Sequence, residues 1–157
     1  MNITTLLHNV ANAIHDDSST QAWCTTVYER GHKVFIGIDR RKPPAESDYP
    51  LVHVFQVRKS EGYELESQEH VLGVTCGIYD DDSRTVIRDR LTELESIEYI
   101  ETFRKYVETA VVGAELSTMR IDELLIEYEV IDFFPFLLAH MEFTFVHDYS
   151  SGDDVFA

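Results

Sequence analysis

Three contiguous carboxylates, Asp80-Asp81-Asp82, are the densest group of hard oxygen ligands in the sequence. A divalent cation needs such ligands spaced around a turn. An unspaced run followed by Ser83 instead suits a helix N-terminus, where the macrodipole favours negative charge, so these residues are read as caps. The histidines pair poorly. His140 and His147 are seven apart in a strand pattern and point to opposite faces. His8 and His15 share a helical face but stand two turns apart, roughly 10 Å at 1.5 Å per residue. His53 lies inside an apolar run and reads as a hydrogen-bonded core residue. Glu123, Glu127 and Glu129 line one strand face, where an acid/base pair can form, yet the wetted face of an antiparallel pair has the same pattern. Gly73 and Gly77 lack the third glycine and the lysine of a phosphate loop. No Ser or Cys occupies a nucleophile elbow. Cys24 and Cys76 are far apart, without metal-type spacing, and read as buried thiols. The residues therefore point to no catalytic site, no cofactor and no metal.

The elements that must carry these residues are legible as periodicities. From Ile121 to His147 two alternating stretches flank Asp132-Phe133-Phe134-Pro135. Leu124, Ile126, Tyr128 and Val130 alternate with Glu123, Leu125, Glu127 and Glu129, and Leu137, Ala139, Met141, Phe143 and Phe145 form one apolar face. Pro135 cannot donate to a ladder and belongs to the connection, so a long hairpin is predicted at the centre of a sheet. Asn2 caps a helix with the stripe Ile3, Leu6, Leu7, Val10 and Ile14, ending at Asp16-Asp17-Ser18-Ser19. Trp23–Tyr28 and Lys33–Ile38 read as strands of a hairpin turning at Glu29-Arg30-Gly31-His32, with Gly31 at positive φ. The Pro-rich loop from Asp39 to Pro50 follows, and the segment 23–50 is expected to project. Leu51–Val57 is an apolar strand, and Ser60–Glu69 is polar and loop-like. Leu72, Val74, Cys76 and Ile78 alternate in the next strand, with Gly73 and Gly77 on the face where something packs closely. Ile87, Leu91, Leu94, Ile97, Ile100, Phe103 and Val107 then predict one long helix starting at the aspartates and stopping at Gly113. The sum is a single α+β domain over 1–157: a mixed, mostly antiparallel sheet with a short N-terminal helix and one long helix on one face. Residues 148–157 form an acidic tail.

Composition narrows the functional class. The chain carries 13 basic and 29 acidic residues, a net charge of −16, which disfavours tight binding to nucleic acid. No apolar run reaches the roughly 18 residues of a membrane span, and the N-terminus lacks the features of a signal peptide. The charge is segregated. Residues 30–60 hold seven basic and three acidic residues, a net +4 that leaves −20 for the remainder. One copy's basic segment thus complements another copy's acidic surface. Arg30, Lys33, Val34, Phe35, Arg40, Arg41, Lys42 and Tyr49 are the candidate subunit-interface residues.

The order of elements around Asp48-Tyr49-Pro50-Leu51-Val52-His53-Val54 carries a resemblance. A short helix, a loop-bearing β-rich segment, a Tyr-Pro strand, an acidic loop (Glu61, Glu64, Glu66, Glu69), a glycine-containing strand ending in Asp80-Asp81-Asp82, a long helix and two final strands follow one another. This order resembles the tail terminator (tail completion, minor tail) proteins of long-tailed bacteriophages and prophages, over nearly the whole chain. The Arg40–Pro50 loop and the acidic tail depart from the family pattern. The resemblance implies an α+β subunit of a ring, a homo-hexamer, that caps the tail tube and joins it to the head. Its implied partners are further copies of itself, the tail tube protein and a head-tail connector protein. The implied location is the bacterial cytoplasm and then the virion tail. The readings from other classes are a cytoplasmic adaptor unrelated to phage tails, and a small metal-dependent enzyme using His53, His140 and the glutamate row.

Overall fold

A computed structural model describes residues 2–60, 67–81, 84–114, 116, 119–129 and 134–148. Helix α1 (Ile3–Asp16) begins where the Asn2 side chain accepts the Thr4 backbone N–H at 3.0 Å. It buries Leu6, Val10, Ala11 and Ile14, the stripe its spacing predicts. Asp17 ends α1 and starts α2 (Ser18–Tyr28): its N–H donates to the Ile14 carbonyl, and its carboxylate accepts the Thr20 N–H at 2.7 Å.

Helix α2 overturns the predicted hairpin at Trp23–Tyr28. Its aromatic and β-branched residues suit strands, but a good cap and tertiary packing outweigh that propensity. Trp23 stacks on Phe103 at 5.8 Å and meets Tyr28, Tyr99 and Tyr106 within about 6.5 Å. Thr25 and Thr26 donate their hydroxyls back to the Gln21 and Ala22 carbonyls, which satisfies them inside a helix. The left-handed residue that closes α2 is Glu29, at φ 57°, not Gly31.

The principal sheet has the order β1-β2-β3-β7-β6. It comprises β1 (Lys33–Ile36), β2 (Leu51–Ser60), β3 (Ser67–Tyr79), β6 (Arg120–Glu129) and β7 (Phe136–Asp148). Strand β1 pairs parallel with β2, and the other neighbours are antiparallel, so the sheet is mixed and the fold is α+β. The closing hairpin does not supply the centre alone. Strand β3 is central, β7 lies beside it, and β6 is an edge. Strand β3 is paired along both edges, with Leu72, Val74, Cys76 and Ile78 on one face and Gly73, Thr75 and Gly77 on the other.

Helix α3 (Glu95–Val112) is shorter than its periodicity predicts. Residues 84–94 instead form a separate two-stranded ribbon, β4 (Arg84–Arg88) and β5 (Leu91–Leu94). Arg90 turns it at φ 58°. A run of β-branched residues, Thr85-Val86-Ile87, favours strand over helix. Ile87, Leu91 and Ile97 are exposed, and only Ile100, Phe103 and Val107 of the predicted stripe lie fully buried. Gly113 does cap α3.

All three helices lie on one face of the sheet: α1 over β1 and β2, α3 over β3 and β7, and α2 against α1 and α3. The core joins Leu6, Val10 and Ile14 to Val52, Val54, Val74, Phe103, Phe143 and Phe145. Cys24 and Cys76 are buried free thiols within it, and burial pushes Cys24 up to about 12. Arg104 is buried on α3, held by Glu101 at 2.8 Å and by Glu108. No described helix is long and apolar enough to cross a membrane. Ser60 closes β2 and Ser67–Glu69 open β3, against the loop expected over Ser60–Glu69. Residues 61–66, 82–83, 130–133 and those beyond 148, with the expected hairpin connection and acidic tail, lie outside the described residues.

Candidate functional site

Among the described residues the opposite face of the sheet carries no helix, and alternate residues decide what it presents. In register across all five strands run Phe35, His53, Thr75, His140 and Glu127. The adjacent row is Phe55, Gly73, Glu142 and Leu125. The missing side chain at Gly73 explains the geometry: a Cβ there comes within 2.4 Å of the Phe55 ring. Phe55 thus lies flat on the sheet between two imidazoles, 4.7 Å from His53 and 5.7 Å from His140. Gly77 plays the same part for Tyr49, whose ring packs over it and 5.0 Å from Phe136. Close packing against both glycines is what their placement in the sequence predicts.

The open face groups a hydroxyl, an imidazole and a carboxylate. Thr75 Oγ1 and His140 Nδ1 are hydrogen-bonded at 3.0 Å, and His140 Nε2 stands 3.5 Å from Glu142 Oε1. The order of groups is that of a nucleophile, a base and an orienting acid. The surroundings do not support acyl transfer. Thr75 lies mid-strand in β3, with β2 on one side and β7 on the other. The neighbouring backbone N–H groups serve the ladders, leaving no donor pair for an oxyanion. His53 is not the hydrogen-bonded core residue its setting predicts. It faces the open side, and its Nε2 is buried without a hydrogen-bond partner among the described residues. Burial lowers its pKa first, and the nearby His140 lowers it further.

The other candidates are dispersed. Glu123 and Glu127 are exposed on edge strand β6. His8 and His15 are exposed on α1, with His15 paired to Asp16. Asp80 and Asp81 do not cap a helix: the Asp80 N–H donates to the Pro135 carbonyl at 2.9 Å, tying the end of β3 to the start of β7. Both line a cleft with Tyr28, Tyr79 and Tyr99. Among the described residues no three His, Cys, Asp or Glu side chains are grouped to hold a metal ion.

The eight candidate interface residues divide into two sets. Val34 packs against the core and Tyr49 against Phe136, so both serve the chain's own fold. Lys33 is held by Asp48 at 2.6 Å, and Arg41 by Asp39 at 3.0 Å. These cations hold both carboxylates below the usual range. Arg30, Arg40 and Lys42 are exposed, and Phe35 is half-buried on the open face. The sequence reading missed the Phe55–His140–Thr75 cluster, because strand register over long separations is not written in periodicity. It also missed the ribbon at 84–94, although Thr85-Val86-Ile87 signalled it. No protein-family model matches the chain, and no curated protein matches it in sequence.

Proposed function

We propose that the protein is a structural subunit that self-associates into a ring, a hexamer in the reading that the sequence resemblance supports. The ring caps a bacteriophage or prophage tail tube and joins it to a head-tail connector. It is made in the bacterial cytoplasm and ends in the virion tail. It is neither an enzyme nor a tight nucleic-acid binder.

The observation that carries this reading is the placing of opposite charges on opposite edges of one sheet. The segments flanking β1 present Arg30 before it and Arg40 and Lys42 after it, whereas β6 at the far edge presents Asp122, Glu123 and Glu127. Among the described residues neither edge strand has a second partner. A surface that complements a different surface on the next copy is what a closed ring requires. Exposed edges bearing charge also protect a subunit from indiscriminate strand pairing.

Light scattering across concentration and salt tests the reading. A discrete oligomer that weakens as salt rises is expected, since exposed charge pairs are screened. A strict monomer at high concentration and low salt would sink it for the free protein. The DNA claim is tested separately by anisotropy with duplex DNA at moderate salt. Weak binding is expected, because an acidic surface has few counterions to release from phosphates. Sub-micromolar binding would reassign the basic segment to a nucleic-acid site.

A further inference from the structure

The charged edges alone cannot hold a ring together. Exposed ion pairs contribute under about 1 kcal/mol each, and Val34 and Tyr49 are used inside their own chain. The apolar part of the contact has to come from elsewhere. Strands β4 and β5 supply it. Among the described residues they pair with each other and pack extensively on no other element. A two-stranded ribbon is marginal by itself in water, yet this one exposes Val86 at 70%, Ile87 at 54% and Leu91 at 43%. It also carries Arg84, Arg88 and Arg90 against Asp89 and Glu93.

A complementary surface exists on the same molecule. Towards β6, the open face holds a depression of about 180 Å³ walled by Val57, Val71, Glu123, Leu125, Glu142 and Thr144, with Arg58 at its rim. Val57 and Leu125 are each 45% exposed. Arg58 is already engaged by Glu69 at 2.7 Å, and the other charged groups here are carboxylates: Glu123 and Glu142 (3.5 Å from His140) in the depression, and Glu127 two residues along β6 from Leu125. Apolar residues seated in a depression, ringed by paired charges, are how protein interfaces concentrate their affinity.

We infer that the β4–β5 ribbon of one copy docks on the open sheet face of the next. Val86 and Ile87 enter the depression between Val57 and Leu125, and the ribbon's arginines face Glu123, Glu127 and Glu142. The contact is heterologous, so each copy offers one ribbon and one face. It rests on the self-association in the reading above, and not on the tail assignment.

Mixing separates the possibilities. A ribbon variant, Val86→Asp with Ile87→Asp, keeps an intact face; a face variant, Leu125→Asp with Glu123→Arg, keeps an intact ribbon. All four side chains are exposed, and circular dichroism and melting curves verify that both variants fold. Each alone is expected to be monomeric by light scattering, with association weakened about tenfold or more. An equimolar mixture is expected to give a one-to-one dimer, because one complete junction remains. Arg84→Glu with Arg88→Glu provides a milder second variant, whose residual association no longer weakens with salt. If the wild type assembles and the ribbon variant assembles equally well, this inference is overturned while self-association stands. If the mixture stays monomeric, the ribbon and the face are not partners. If the wild type is monomeric throughout, self-association fails and takes the inference with it.

Discussion

The two faces of the five-stranded sheet are made by the same strands, one residue out of phase, and they are physically different objects. The helix side is dry. Val52, Val54, Leu72, Val74, Cys76, Ala139, Met141, Phe143 and Phe145 lie on it with no exposed surface. The open side mixes Phe35, Phe55, Leu125 and Leu138 with His53, His140, Glu127 and Glu142, most of them half-buried or exposed. Strand alternation alone produces both. The difference teaches that the glycines do the work helices do on the other side: Gly73 and Gly77 let Phe55 and Tyr49 lie down as a thin cover. A face covered by its own rings keeps its polar residues accessible, and that makes it available to a partner.

Four substitutions or conditions test this contrast. On the helix side, Phe143→Ala removes a fully buried ring and is expected to cost about 3–5 kcal/mol; urea or guanidinium unfolding measures it. A midpoint unchanged from wild type removes β7 from the core. Next comes Arg104→Ala, which strands Glu108 beside a dry helix face and leaves Glu101 with Lys105 alone, at 3.2 Å. Both glutamates are about one-third exposed, so the loss is expected at about 2–3 kcal/mol, below the 3–5 of a fully buried broken pair. On the open side, Phe55→Ala takes away a half-buried ring, with an expected cost of roughly 1–2 kcal/mol, near the transfer value of a partly buried side chain. If Phe55→Ala and Phe143→Ala cost the same, the two faces do not differ as described.

The smallest effect is that of pH. Burial depresses the pKa of His32, whose Nε2 donates to the Ile14 carbonyl at 2.8 Å, and also that of His53. Unfolded histidine titrates near 6.5. Below that value the unfolded chain binds protons that the folded chain resists, so stability falls as pH drops and is complete above it. His140, Glu127 and Glu142 face His53 across the open side. Stability measured from pH 7.5 to 5 is expected to decline, and His53→Phe to flatten the open-face share of that decline. An unaltered slope in the variant assigns the whole decline to His32 and the carboxylates.

Much of the fold was legible because short-range physics sets it. Asn2 announced α1, the alternation at Leu72–Ile78 announced strand β3 though not its central place, and Phe143 was placed in the core by period alone. Failures arose where the pattern was ambiguous or tertiary contacts decided. Trp23–Tyr28 has strand composition, but Asp17 caps it and Phe103 receives its indole. Ile87, Leu91 and Leu94 have helical spacing, yet Arg90 in the left-handed region turns the chain between them. The open-face cluster was half legible. Alternation puts His53 with Phe55, and His140 with Glu142, on one side of their strands; that these strands flank β3 is a matter of register, fixed by contacts between distant residues. The basic candidates Arg40 and Lys42 are exposed as expected, whereas Val34 and Tyr49 proved to be structural.

The central position of β3 has a further consequence, which concerns the order of events during synthesis. One side of β3 pairs with β2, its near neighbour in the chain, and the other with β7, whose His140 lies 65 positions beyond Thr75. Strand β7 is the last of the five to emerge from a ribosome, and β6 cannot join the sheet without it. Until then β3 keeps one edge unpaired. Contacts over such separations form slowly, and unpaired edges invite aggregation while they wait. The nascent chain is therefore vulnerable until β7 joins, and a ribosome stalled ahead of Phe136 leaves only β1, β2 and β3 paired in the principal sheet for chaperones to hold.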